Sequence, residues 1–313
     1  MEIIYGLENI SPSTSKAFLT IGIFDGVHLG HQKILSSLSK KAREDKAISL
    51  VLTFSEHPDK LLHKKSILLI QTLNQRLETI SKFGIDKTIV IDFKKEIYSL
   101  KAEEFIEKIL VNKLNVDEIF VGENFRFGKD RAGNINILRE MSKSFGFKVN
   151  SFPLIEKNGK KVSSSIIRDL LLRGEIEEAN LFLGRNYCIE GEVIKGHSRG
   201  KKLGVPTANL TTDNEILPHG VYITSTKFEN KFYPSVTNIG FCPTFEQKSL
   251  NVEVHLFDFS ENIYGKKLKI YFFKKIRNEI KFNNPAHLLE QIHSDFRIAK
   301  DFFSQKSYII NQD

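Results

Sequence analysis

The period of the apolar positions changes past the middle of the chain. Through residues 1–184, short apolar runs alternate with helical patterns. The runs at 17–24, 47–54 (AISLVLTF), 87–93 (KTIVIDF), 118–123 (EIFVGE) and 147–154 are short and mostly apolar, as strands buried on both faces should be. Between them, 101–114 carries Phe105, Ile106, Ile109, Leu110 and Leu114 on one helical stripe, and 73–83 does the same with Leu77 and Ile80. This alternation predicts a parallel sheet with helices on both faces, in which ligands sit beyond the C-terminal ends of the strands. Asn158-Gly159 predicts a hairpin turn. A serine-capped apolar stripe ending at Gly174 and a second stripe over 175–183 closed by Gly184 predict two short helices. A domain boundary is expected there, giving domains 1–184 and 185–313.

Beyond it, period two dominates, at 187–195, 221–228, 232–240, 251–259 and 267–274. Turn residues separate these runs: Pro218, Gly220, Glu229-Asn230 and Tyr264-Gly265. Short strands so spaced predict a small antiparallel barrel. From 285 to 303 the period returns to helical, with Leu288, Leu289, Ile292 and Phe296 on the stripe. Within 251–259, Val252, Val254 and Leu256 share one face and Glu253, His255 and Phe257 the other. Apolar residues on the even face suit the barrel interior, which leaves Glu253 turned toward solvent or toward a site.

The sharpest chemical signal is residues 19–31, LTIGIFDGVHLGH. An apolar run breaks at Asp25-Gly26 and then presents His28, Gly30 and His31 as a helical pattern begins. A buried strand, a glycine turn and a helix N-terminus form an anion site, because free N–H groups and the helix dipole favour negative charge. Two imidazoles three residues apart add donors to phosphate oxygens. The spacing also allows a metal pair or two surface histidines. GENFRFGKD imitates a P-loop, but five residues separate its glycines and Asp130 stands where Ser or Thr is needed; GHSRGKKLG fails the pattern too.

G-x-F-D-G-V-H-x-G-H resembles the adenylyltransferase half of the bacterial bifunctional riboflavin kinase/FAD synthetase family, within the nucleotidylyltransferases. TFSEHP (53–58), VGENFRFG (121–128) and SSSIIR (163–168) continue the resemblance in order. It implies a Rossmann-like nucleotidylyltransferase domain. ATP phosphates would meet Gly22, Phe24, Asp25, Gly30, Ser164, Ser165 and Arg168, with His28 and His31 catalytic and Asn124 on the flavin. Ser165 is equally a helix cap by pattern, Arg168 a solvated helix residue and His57 turn chemistry. The family more often has Thr at Ser165, a change that keeps the hydroxyl, and Asn at Ile23, where a side-chain hydrogen bond is lost.

In the second half, GEVIKGHSRGKKLGVPTANL (191–210) resembles the riboflavin kinase signature, followed in order by PHGVYIT, NIGFCPTF, VEVHLFDFSENIYGKKL and IRNEIKF. The resemblance implies a loop with Gly196, Arg199, Gly200 and Gly204 over ATP. It also implies a magnesium ion on the hard oxygens of Thr207 and Asn209, flavin contacts at Arg277 and Glu279, and Glu253 as catalytic base. Cys242 stands where the family often has Arg. The implied substrates and products are ATP, riboflavin, FMN and FAD.

Composition changes this picture little. The chain has 313 residues, 41% hydrophobic and 27% charged, as in a globular protein. No apolar run reaches the ~20 residues of a membrane span, and residues 1–20 lack a signal-peptide pattern. Two cysteines, Cys188 and Cys242, form no disulfide framework. A cytoplasmic setting without a membrane partner is expected. The net charge of +8 invites a nucleic-acid reading, but 1–184 holds 28 basic and 24 acidic residues and the remainder 18 and 14. The excess forms no basic block, so small anionic substrates explain it as well as a polymer does. A different nucleotidylyltransferase fused to a non-catalytic barrel is the other reading.

Overall fold

The structure, a computed structural model, describes residues 1–10, 15–63, 66–92, 95–196, 204–241, 250–282 and 284–305. Its contacts separate two compact units, Met1–Ser164 and Ser165–Asp313.

The first unit is a parallel sheet of β1 (Glu2–Tyr5), β2 (Ala17–Ile21), β3 (Ile48–Phe54), β4 (Lys87–Ile91), β5 (Val116–Gly122) and β6 (Lys148–Phe152), in the order β1-β4-β3-β2-β5-β6. Helices α1 (Leu29–Glu44), α2 (Pro58–His63), α3 (Leu73–Ser81), α4 (Lys95–Tyr98), α5 (Ala102–Phe105) and α6 (Ile135–Phe145) fill the connections. The apolar strands bury both faces. Leu19, Leu52, Ile89 and Ile119 meet Ile106, Leu110 and Leu138 on one side. Phe18, Val51 and Phe120 meet Leu35, Leu38 and Ile80 on the other. The stripe expected over 101–114 is buried, but beyond α5 its backbone winds as a π-helix, Ile106–Val111.

From β2 the chain winds outward through β3 and β4, then returns to place β5 against β2's other edge. The strand order reverses between β2 and β5. The connections leaving these two strands diverge, and that opens a crevice at their C-terminal ends. β2 is shorter than its apolar run because Gly22 begins the turn into α1, its N–H still bonded to the Leu52 carbonyl at 3.1 Å. Past β6, β7 (Glu156–Lys157) and β8 (Lys160–Lys161) form the expected hairpin, with Asn158 and Gly159 at φ 52° and 72°.

Helices α7 (Ser164–Arg173) and α8 (Ile176–Leu183) lead into the barrel strands β9 (Tyr187–Ile194), β10 (Ala208–Thr211), β11 (Gly220–Phe228), β12 (Lys231–Phe241), β13 (Leu250–Leu256) and β14 (Lys267–Arg277). They close in the order β10-β13-β12-β11-β14-β9, all antiparallel. The compact units divide ahead of the boundary expected at Gly184. The reason is α8, whose buried Ile176, Ala179, Phe182 and Leu183 pack with the barrel. Asn180 Nδ2 also donates to the Phe272 carbonyl at 2.8 Å, and Asn180 Oδ1 accepts the Tyr187 N–H at 2.6 Å. The last helix, α9 (Pro285–Gln305), lays Phe296 and Ala299 against Val221, Ile223, Val236 and Phe257. Among the described residues no helix is long and apolar enough to cross a membrane.

Candidate functional site

Between β2 and α1 the backbone takes an unusual path. Phe24, Gly26 and Val27 hold φ of 55°, 79° and 36°. A β-branched residue in the left-handed region is strained, and it persists only where its surroundings over-determine it. Phe24, Asp25 and Val27 are all buried. Asp25 is the hub of the turn. Its Oδ1 accepts the N–H groups of Ile70 at 2.9 Å and Gln71 at 3.4 Å, and its carbonyl accepts the Ser164 hydroxyl at 2.9 Å. Thr53 donates to the Ile23 carbonyl at 3.2 Å, and Gln32 Nε2 donates to the Val27 carbonyl at 2.9 Å.

The turn delivers His28 to the N-cap of α1. The His28 and His31 rings stack with centroids 3.7 Å apart and planes 17° apart, while Phe24 meets the His31 ring edge-on at 5.1 Å. Gly30 permits the stack, since a Cβ there would lie 3.1 Å from His28 Cε1. The two imidazoles thus stand beside the first N–H groups of α1, donors that a helix leaves unsatisfied within itself. An anion fits there by charge and by hydrogen bonding. Among the described residues no three His, Cys, Asp or Glu side chains gather as metal ligands.

His57 and Asn124 follow the ends of β3 and β5. Asn124 is exposed just past β5, its Oδ1 folded over Gly122. His57 is buried, and its Nδ1 accepts the Asp59 N–H at 3.1 Å, so it anchors the start of α2. Ser164 has one hydroxyl hydrogen and gives it to Asp25; while it does so it cannot donate to a phosphate. Ser165, exposed, and Arg168, half-buried, follow on α7.

A second constellation lies on the barrel. Along β13, Val252, Val254 and Leu256 are buried and Asn251, Glu253 and His255 take the opposite face. The register sets Asn209 of β10 and Asn238 of β12 on either side of Glu253. Asn251 Nδ2 donates to Glu253 Oε1 at 2.8 Å and to Asn209 Oδ1 at 2.9 Å. Glycines bracket this row: a methyl at Gly196 would strike the Asn209 amide, and one at Gly240 the Glu279 carboxylate. Glu279, Asn251, Glu253 and Asn209 therefore form one polar patch, with Gly196 against the Asn209 amide.

His255 supports its edge. Burial lowers its pKa, so the ring is held neutral, and its Nδ1 lies 2.7 Å from the Pro206 carbonyl, next to Thr207. The ring stacks on Phe296 of α9 at 4.3 Å. Arg277 is committed to α9: Nε and Nη2 donate to Asp295 at 3.0 and 2.8 Å, and Nη1 to the Asn278 carbonyl at 3.0 Å. Gly204 is in the left-handed region at φ 76°. Arg199, Gly200 and Cys242 lie outside the described residues.

The sequence model of the FAD synthetase family matches residues 10–166, and that of riboflavin kinase matches residues 183–303. A bifunctional riboflavin kinase/FMN adenylyltransferase of Buchnera aphidicola from Schizaphis graminum is 40% identical over 97% of this chain and 99% of its own. The chain belongs to this family. The Haemophilus influenzae member is 38% identical over 97% of this chain and 100% of its own, and the Escherichia coli K12 member 33% over 97% and 98%. A solved structure titled a macrolide-efflux protein from Streptococcus pneumoniae superposes with a TM-score of 0.87 at 28% identity, covering 96% of this chain and 99% of that one. The shared fold therefore runs through both halves.

The two family matches leave most of α7 and all of α8 but Leu183 between them. Three residues escaped the sequence reading. Asn251 carried a signal, since it shares the parity of Glu253. His255 was placed on that face without a role. Arg76, buried on α3, carried none.

Proposed function

We propose that the chain performs two successive transfers, one on each constellation, as its membership of the bifunctional family implies. The first phosphorylates riboflavin with ATP to FMN. The second adenylylates FMN with another ATP to give FAD and pyrophosphate. The observation that carries this reading is that both family matches fall in one chain, each over a unit with its own polar constellation. The kinase is assigned to 185–313 and the adenylyltransferase to 1–184.

On the barrel, Glu253 accepts the proton of the riboflavin 5′-hydroxyl as its oxygen bonds the γ-phosphorus and ADP leaves. A primary alcohol is a weak nucleophile at neutral pH, and a positioned base is worth roughly 10²–10⁴-fold. Asn251 orients that carboxylate and the Asn209 amide together. Thr207 and Asn209 offer neutral hard oxygens, which fit a magnesium ion that takes its remaining ligands from phosphates; such an ion would screen the ATP charge. Gly196, Arg199, Gly200 and Gly204 belong to the loop over the nucleotide, and Arg277 and Glu279 to the flavin side, Arg277 through its hold on Asp295.

At the sheet, an FMN phosphate oxygen attacks the α-phosphorus of ATP, and the bond to pyrophosphate breaks. The phosphate is already a nucleophile, so no base or covalent intermediate is needed. His28, His31 and the N–H groups of α1 meet the charge that develops, and Gly22, Phe24, Asp25 and Gly30 shape their turn. Ser164 steadies the turn, while Ser165 and Arg168 are assigned to the leaving pyrophosphate and Asn124 to the flavin.

Purified protein given riboflavin, ATP and magnesium should form FMN first and FAD after it, resolved by chromatography. Failure to form either flavin nucleotide would overturn the reading.

A further inference from the structure

The ladder between β10 and β13 pairs Leu210, Asn209 and Ala208 with Val252, Glu253 and Val254, and it ends there. Thr207, one residue further, lies outside it. A segment leaving a sheet loses the hydrogen bonds that fixed its backbone, and its polar groups must find partners elsewhere. Pro206 has no N–H, so its carbonyl is the one backbone group by which that residue can be tied. His255 ties it. This side chain stands one residue past the last pair on β13, and its Nδ1 lies 2.7 Å from the Pro206 oxygen. A carbonyl only accepts, so Nδ1 carries the hydrogen, and protonation of Nε2 leaves that bond in place.

The ring is itself held. It stacks on Phe296 with centroids 4.3 Å apart and planes 16° apart, and it meets Phe257 edge-on at 5.4 Å. Packing alone does not call for an imidazole. Helix α9 is already fastened by Phe296 and Ala299 on the barrel and by the Arg277–Asp295 pair, and a phenyl ring would stack as well. What the imidazole adds is the donor. Thr207 thus lies between two fixed points, the Pro206 carbonyl on one side and the paired Ala208 on the other. Both are set by β13, the strand that carries Glu253. We propose that His255 is a positioning residue for riboflavin phosphorylation: by holding the Pro206 carbonyl it fixes the oxygens of Thr207 relative to Glu253, where they receive the magnesium that accompanies the nucleotide. The inference rests on the reading of Thr207 and Asn209 as metal ligands.

The test uses the full chain with His255→Phe, His255→Asn, Phe296→Leu, Thr207→Ala and Asn209→Ala. Riboflavin phosphorylation is followed against magnesium concentration, and ADP binding is measured by calorimetry in magnesium and in EDTA. FAD formation from supplied FMN at saturating magnesium counts competent protein, and circular dichroism checks the fold. His255→Phe keeps the stack and loses the donor. It should raise the magnesium concentration for half-maximal rate about tenfold, on the order of one lost hydrogen bond, with little change in KM for riboflavin. Its affinity for ADP should fall by the same factor in magnesium and stay unchanged in EDTA. His255→Asn, whose amide nitrogen stands close to the place of Nδ1, should recover most of both. A folded His255→Phe protein with the wild-type magnesium requirement, an equal loss of ADP affinity in EDTA, or no recovery in His255→Asn would overturn the inference. Should His255→Phe fail to fold, Phe296→Leu decides, because it frees the ring to turn: the requirement should rise severalfold, and an unchanged one overturns the inference. If neither Thr207→Ala nor Asn209→Ala raises the requirement, the reading of the metal ligands fails and takes the inference with it. If they raise it and His255→Phe does not, the inference alone fails.

Discussion

His255 joins three elements through one ring: it sits on β13, bonds the Pro206 carbonyl ahead of β10, and stacks on Phe296 of α9. Burial lowers its pKa, with Lys300 pressing the same way and the Pro206 bond opposing. In the unfolded chain an imidazole titrates near ~6.5. As pH falls through that value the unfolded state takes the proton first, so the stability of the folded barrel is full above it and declines below it. Thermal unfolding from about pH 7 down to pH 5 should show that decline, and His255→Phe, which keeps the stack and cannot titrate, should flatten it. An unchanged slope in the variant would remove His255 from the explanation. Glu253 and His255 were legible on one strand face because period two is simple geometry. Arg76 was not, because a charged residue on an amphipathic helix reads as a solvated face; its burial follows from contacts distant in sequence.

At the scale of elements, the inner strands of the sheet, β2 to β5, were legible because burial on both faces leaves a nearly unbroken apolar run. β1 was not: it is a four-residue edge strand with no buried position. β10 gave no strand signal either, since only Leu210 of its four residues is buried. α6 was missed although Asn134 caps its start and left-handed Gly146 ends it. α8 was found, but its apolar face says nothing about which core it joins. The close approach of β12 to the segment after β14 carries a prediction. Gly240 has an ordinary strand φ, absent from the left-handed positions, so alanine fits its backbone; the added methyl would strike the Glu279 carboxylate. Gly240→Ala should fold, lose about 10²-fold in riboflavin phosphorylation by displacing that carboxylate, and convert FMN to FAD normally. Unimpaired FMN formation would detach Glu279 from the site.

At the scale of the whole chain, the change of hydrophobic period separated a parallel sheet from a barrel, and both are present. Composition set only limits. A net charge of +8 is shared by the two halves of the sequence, and the motif residues carry the assignment of substrates. The central claim is that two transfers occur in one chain, with Glu253 serving one and His28 the other. The most direct test gives Glu253→Gln and His28→Ala, each with ATP and magnesium, first riboflavin and then FMN. Glu253→Gln should leave riboflavin almost unchanged yet convert supplied FMN to FAD. His28→Ala should form FMN from riboflavin and stop there, with FAD formation down ~10²–10³-fold. Loss of the same step in both variants, or of neither step in either, would contradict the division of labour.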